Sequence, residues 1–170
     1  MTSAPLTSGP YSSGTVVAIC VGPGGVPKPQ VASVRVTIDG LDGDGHRHRL
    51  HGGRNRAVCI LSVAEVRSLE RDGVKNLVPG SFGENLLIDG IDFGALRPGD
   101  RLSIGADVVI EIHEIREPCG TLKPVDKRFP DLMTGRSGFV CKVVREGSIE
   151  RGCAVREVGR EVGRALDRGV

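Results

Sequence analysis

Glycine and proline interrupt this chain so often that no long helix fits between them. The 170 residues include 25 Gly and 10 Pro, and the apolar runs left between these breaks are short and rich in Val and Ile. Runs of this kind, bounded by turn formers, read as strands. VVAICV (Val16 to Val21) is the first, followed by the loop GPGGVPKP. From Val34 the chain alternates, with Val34, Val36 and Ile38 on one strand face and Arg35 and Thr37 on the other. AVCILS is a further strand. Asn85 to Ile88, Arg101 to Ile104, Val108 to Ile115, Phe139 to Arg145 and Ala154 to Val158 complete the set. One helix stands out: Ser62 and Glu65 form a capping box, which predicts about ten helical residues ending near Gly73. The expected fold is mainly β, of barrel type, with a few short helices.

No repeat or long linker divides the chain, and its length suits one domain with a sizeable core. The first fourteen residues, MTSAPLTSGPYSSG, lack both a basic start and an apolar signal core, and read as a disordered tail over 1–14. A domain over 15–158 follows, then a C-terminal tail or short helix over 159–170. No apolar run approaches the ~20 residues of a membrane helix. The formal charge is only +2, and all but five of the 23 basic residues are arginine. Arginine forks suit local recognition of carboxylate or phosphate and not the broad field that nucleic acid requires. Five cysteines with no CxxC pair argue for reduced thiols and a soluble, cytoplasmic protein without nucleic-acid or membrane partners.

The cysteines differ in setting. Cys20, Cys59 and Cys141 lie inside apolar strands and Cys153 opens the last one, so each reads as a small buried hydrophobe. Cys119 lies in REPCGTLKP, a loop bounded by Pro and Gly with Arg116 close by, the setting of a nucleophile or a metal ligand. Three of the four histidines fall in GDGHRHRLHGG (43–53). His46 and His48 point to one side of an extended segment, His51 follows, and Asp44 is available to accept an imidazole N–H. A transition metal is one reading. An anion held by Arg47, Arg49, Arg54 and Arg56 around the glycine turn is another, and a solvated loop the third. His113 reads as a surface residue. In PGSFGENL, the tight loop permitted by Gly80 and Gly83 presents Glu84 and Asn85 at its mouth. Glu84 there is a general base, a metal ligand or a partner for an arginine.

GDGH, HGGRNRAV, PGSFGENL, PGDRLSIG, REPC and GFVCKVVREGSIERG, in this order, resemble the MOSC domain family, named after the C-terminal region of molybdenum-cofactor sulfurases. The resemblance covers about residues 15–158. It implies a compact, mainly β fold related to the barrel domain of pyruvate kinase, with sulfur or molybdenum-cofactor chemistry centred on Cys119. His46 and His51 match the spacing of a subgroup with a second histidine after GD-x-H, while Gly152-Cys153 departs from a common Gly-Asp. Joined to this resemblance, His46, His51 and Cys119 make a three-ligand set for zinc or iron with an open position. Glu84 would be acid or base, and Arg54, Arg56, Arg116 and Asn85 would hold an anionic substrate. The expected activity is metal-dependent cleavage of a carbon–sulfur bond in a small sulfur-containing substrate, as in a lyase on thiol conjugates, or transfer of sulfur. The alternative is a molybdopterin-binding or sulfur-carrier module using Cys119, including reduction of N-hydroxylated compounds with a separate electron donor. Exposed barrel faces would also suit a homodimer.

Overall fold

The computed structural model describes residues 12–45 and 53–159. The histidine cluster His46, His48 and His51, the arginines Arg47 and Arg49, and nearly all of the two expected tails lie outside the described residues.

The strands in chain order are β1 (Ser13–Cys20), β2 (Gln30–Val31), β3 (Ser33–Thr37), β4 (Gly40–Leu41), β5 (Val58–Ser62), β6 (Leu86–Asp89), β7 (Arg101–Ile104), β8 (Val108–Ile115), β9 (Phe139–Arg145), β10 (Gly147–Glu150) and β11 (Ala154–Val158). A helix, α1 (Val63–Arg71), lies between β5 and β6. Seven strands close into a barrel in the order β1, β6, β5, β9, β8, β7, β11, the ring being completed by β11 pairing back to β1. All neighbours are antiparallel except β5 and β6, which α1 connects as the crossover that a parallel pair requires. A small sheet in the order β10, β3, β4 packs on the barrel core through Val36, Leu41 and Ile149. The described residues are mainly β, with one helix and short 3-10 turns.

Strand alternation divides the apolar residues into two clusters. Val16, Ile19, Val58, Ile60, Leu86, Ile88, Ile110, Cys141 and Val155 fill the barrel. Ala18, Cys20, Leu61 and Leu87 face outward, where Leu69 of α1 and Phe82, Leu122, Phe129 and Met133 from the loops cover them. Both faces of β1, β5 and β6 are therefore buried in part, which is why their sequences read as unbroken apolar runs. β1 manages this with a register shift against β6 between Val16 and Ala18, consistent with a bulge that changes which face each residue takes.

The helix begins as its capping box predicts. Ser62 Oγ accepts the Ala64 N–H at 3.1 Å, and Glu65 Oε2 accepts the Ser62 N–H at 3.1 Å. Strand limits differ from expectation at several ends: β5 starts at Val58 and not at Ala57, and β6 runs from Leu86 to Asp89 and not from Asn85 to Ile88. β1 starts at Ser13, because its first residues pair with β11. β3 stops at Thr37, and Ile38 enters a turn in which the Thr37 hydroxyl donates to the Gly40 carbonyl at 3.1 Å. No helix among the described residues is long and apolar enough to cross a membrane.

Candidate functional site

The outer flank of β5 and β9 carries a cleft of about 240 Å³ where the loops that follow β1, precede β6 and follow β8 converge. Asn85 organises its floor. Its side-chain oxygen accepts the Cys59 N–H at 2.9 Å and its own N–H donates to the Cys59 carbonyl at 2.8 Å. The amide nitrogen donates to the Cys20 carbonyl at 3.2 Å and to Asp44 Oδ2 at 2.8 Å. One buried side chain thus joins the end of β1, the start of β5 and the GDG segment.

Asp44 also receives Lys28 Nζ at 2.9 Å on Oδ2 and the Gly22 N–H at 3.2 Å on Oδ1. Lys28 and Asp44 are 7% and 2% exposed. Removing one member of so buried a pair leaves the other charge uncompensated, at a cost of about 3–5 kcal/mol. Asp44, offered by the sequence as an imidazole acceptor, has Oδ2 fully committed to Lys28 and Asn85. The Gly45 N–H donates to the Gly22 carbonyl at 2.7 Å, which holds the entrance of the histidine motif at the edge of the cleft.

The loop before β6 is closed by Glu84. Its two carboxyl oxygens accept the N–H groups of Gly80 at 2.6 Å and Phe82 at 3.1 Å. The residue is 1% exposed and is not among those lining the cleft. Burial pushes its carboxyl above the ordinary carboxylate range, while the Gly80 N–H and the Arg116 guanidinium act in the other direction. The structure therefore gives Glu84 a loop-closing position and brings Asn85, its neighbour, to the cleft.

Among the described residues three cationic side chains line the cleft: Lys28, Arg56 and Arg116. Arg116 follows β8, and its Nη2 donates to the Phe82 carbonyl. Arg56 lies in a 3-10 turn (Arg54–Arg56) and donates from Nη1 to Glu114 at 2.7 Å. Arg56 Nε and Arg116 Nη1 are buried and have no hydrogen-bond partner among the described residues. An unmet buried donor costs about 1–3 kcal/mol, more on a charged group, so these two arginines each keep a donor for which the described residues supply no acceptor. Arg54 is elsewhere: it is 70% exposed and pairs with Asp39 at 3.3 Å.

Cys119 lies on the cleft rim, half-buried, with its sulfur 2.7 Å from the Thr121 hydroxyl. Cys59 lines the same cleft. Burial raises its thiol, opposed first by the charge of Arg116. Cys141 points into the barrel, where burial raises its thiol well above the ordinary value, and burial lifts Cys20 to about 12. Among the described residues no three His, Cys, Asp or Glu side chains gather as a ligand set; His46 and His51 lie outside them.

Sequence reading identified Asn85, Arg56, Arg116 and Cys119, and the cleft brings these four together. It passed over two others. Lys28 sits in a proline-rich loop with nothing local to mark it. Cys59 belongs to an apolar strand, and it is the structure, by packing Val58 and Ile60 into the barrel, that shows it facing the cleft.

Comparison with known proteins agrees with this architecture. The Bacillus subtilis protein YflK is 26% identical over 141 residues, covering 78% of this chain and 62% of YflK. A Gibberella moniliformis protein named "Reductase" is 31% identical over 123 residues, covering 66% of this chain but 21% of that protein. The chain thus spans less than two thirds of either relative. The crystal structure of YiiM from Geobacillus stearothermophilus superposes with a TM-score of 0.73 at 27% identity, over 88% of this chain and 77% of that one. The family model described as the MOSC domain matches residues 47–156, the stretch that supplies β5 to β9 and the cleft residues Arg56, Asn85, Arg116 and Cys119. A seven-stranded barrel with a cysteine loop after β8, and a family match over residues 47–156 of the chain, lead to one conclusion: the chain belongs to the MOSC domain family.

Proposed function

We propose that the protein is a reductive enzyme that holds a molybdenum cofactor in this cleft, with Cys119 as the sulfur ligand and Arg56 and Arg116 on the cofactor's phosphate. The observation that carries this reading is a pair of buried guanidinium donors without acceptors among the described residues, Arg56 Nε and Arg116 Nη1, on two arginines that line the cleft with Cys119. An anionic, sulfur-ligated group fits that donor set: a thiolate suits a soft metal and guanidinium forks suit phosphate. Small-molecule pockets usually measure about 300–1,000 Å³. A cleft of about 240 Å³ would take only one end of such a group, and the cationic lining suits its anionic end. When bound, the cofactor would supply two-electron chemistry, such as removal of oxygen from an N-hydroxylated compound. Thr121 would steady the Cys119 sulfur, while Asn85 and the Lys28–Asp44 pair hold the floor. The relative named as a reductase supports the reductive class.

Elemental analysis and pterin fluorescence of the purified protein test this. Molybdenum bound in proportion to chain, and reduced about tenfold or more in Arg116→Ala as expected for a lost charge-assisted bond, is the predicted result. Zinc or iron in place of molybdenum, with no pterin, rejects it.

A second reading has one observation in its favour. Gly45, directly before His46, lines the same cleft as Cys119. A zinc or iron centre of His46, His51 and Cys119, cleaving a carbon–sulfur bond or transferring sulfur, would then stand at the cleft mouth. His46→Ala should remove metal and activity on that reading and be nearly silent on the first. Cys119→Ser should abolish activity on both.

A further inference from the structure

A lysine ammonium carries three N–H donors, and Lys28 uses one of them. Its Nζ donates to Asp44 Oδ2 at 2.9 Å, its single acceptor among the described residues, while the side chain is 7% exposed. The remaining donors of this buried cation are left to whatever fills the space beside them. That space is the cleft. Lys28 is one of its lining residues, and Asp44 ties the ammonium to Asn85 of the floor. Burial raises the thiols of Cys59 and Cys20, and the charge of Lys28 acts on both in the opposite direction, which puts the charged end of the side chain, and not only its stem, at the floor. The backbone fixes this placement. The Lys28 N–H donates to the Gly80 carbonyl at 3.0 Å, and a Cβ at residue 80 would stand 2.1 Å from the Lys28 carbonyl oxygen, so only glycine lets the two loops meet.

We infer that Lys28 binds the oxygen atom that the reaction removes and gives it a proton as it departs. The inference rests on the reductive reading above and adds to it a residue that touches the substrate. Arg56 and Arg116 suit a group whose charge is already fixed, because a guanidinium keeps its proton near neutral pH. An alkylammonium can release one, and it is a stronger acid than water. The matching substrate is a small molecule whose oxygen, bound to nitrogen, accepts a hydrogen bond and becomes basic as the N–O bond breaks. Two electrons come from a separate electron-carrier protein. The departing oxygen keeps its own hydrogen, takes one proton from Lys28 Nζ and leaves as water, and the nitrogen takes a second proton from solvent. N–OH, two electrons and two protons thus become N–H and water. Asp44 holds the lysine in place through the step, and solvent returns the proton to Nζ.

The full-length protein as purified is tested first without reductant. By calorimetry, phenylhydroxylamine should bind about tenfold more tightly than aniline, as one charge-assisted hydrogen bond provides. Lys28→Arg keeps a cation beside Asp44 and should keep this preference. With reduced methyl viologen as electron source, the same variant should lose about a hundredfold or more in kcat, the contribution of a lost general acid. In Lys28→Ala, ethylammonium and the more acidic 2-fluoroethylammonium fill similar space, and the second should restore the faster turnover. The binding preference is read on the unaltered chain and stands should a variant misfold. Equal binding of the two compounds to that chain, full kcat in Lys28→Arg, or rescue indifferent to the acidity of the amine overturns the inference. Loss of molybdenum from Lys28→Arg overturns it as well, since the lysine would then be holding the cofactor. Elemental analysis of the unaltered chain separates the two failures: a chain without molybdenum rejects the reductive reading and this inference with it, whereas a molybdenum-bearing chain that reduces phenylhydroxylamine with Lys28 silent rejects this inference alone.

Discussion

Glu84 and Asn85 are adjacent in sequence and separate in role, and the difference comes from which polar groups each one meets. Asn85 has donors and an acceptor and joins three segments; Glu84 turns its two carboxyl oxygens to the N–H groups of its own loop. The pH dependence follows. Burial raises the Glu84 carboxyl from an ordinary value of 4.5 in the unfolded chain, so the folded state holds the proton to higher pH. Its contribution to stability is fully present below pH 4.5 and is lost as pH rises through the raised folded value. Glu84→Gln removes this titration, and the loss of one amide acceptor shifts the whole curve by a constant. Urea unfolding of both proteins from pH 4 upward should show wild type losing stability relative to Glu84→Gln as pH increases. Glu65, whose carboxyl burial also raises, is present in both and cancels in the difference. Parallel curves would mean that Glu84 ionises as freely in the folded protein as in the unfolded chain.

At the scale of elements, short-range signals are the ones that sequence carries. The capping box of α1 is complete within four residues, and Ser62→Ala should cost about 1 kcal/mol, read from the urea midpoint at unchanged slope; no loss would mean water replaces the hydroxyl. β7, β8, β9 and β11 begin and end where alternation and turn residues place them. β2, β4 and β10 were not legible. Each has two to four residues, and β10 exists because Ile149 pairs with Val34, far away in the chain. The same distinction runs through the site. Cys119 and Arg116 share a marked loop and could be named together. Cys59 belongs to a strand with apolar residues on both faces, where no polar alternation tells inside from outside. Lys28 is placed by Asp44 and by its own N–H on the Gly80 carbonyl at 3.0 Å, neither visible in the local sequence.

The whole molecule depends on its last strand. β11 pairs with β7 along four residues and with β1 along three, and the Gly152 N–H donates to the Val16 carbonyl at 2.8 Å while the Val16 N–H donates to Cys153 at 3.0 Å. Val155 is fully buried in the barrel, a side chain worth about 1.5–3 kcal/mol of apolar burial. Closure also removes the free edges that β7 and β1 would otherwise present to other chains. The cleft is on the β5–β9 side of the ring, yet it relies on that seam: Asn85 spans from the carbonyl of Cys20 at the end of β1 to the backbone of Cys59 on β5. A chain ending at Gly152 should therefore lose the site together with the barrel, exposing apolar core that binds anilinonaphthalene sulfonate and eluting as aggregate on size exclusion. A chain ending at Gly159 keeps all eleven strands and should elute as the full-length protein does. If the shorter chain unfolds at the same urea concentration as the longer one, the ring does not need β11, and the cleft must be held by the loops that line it.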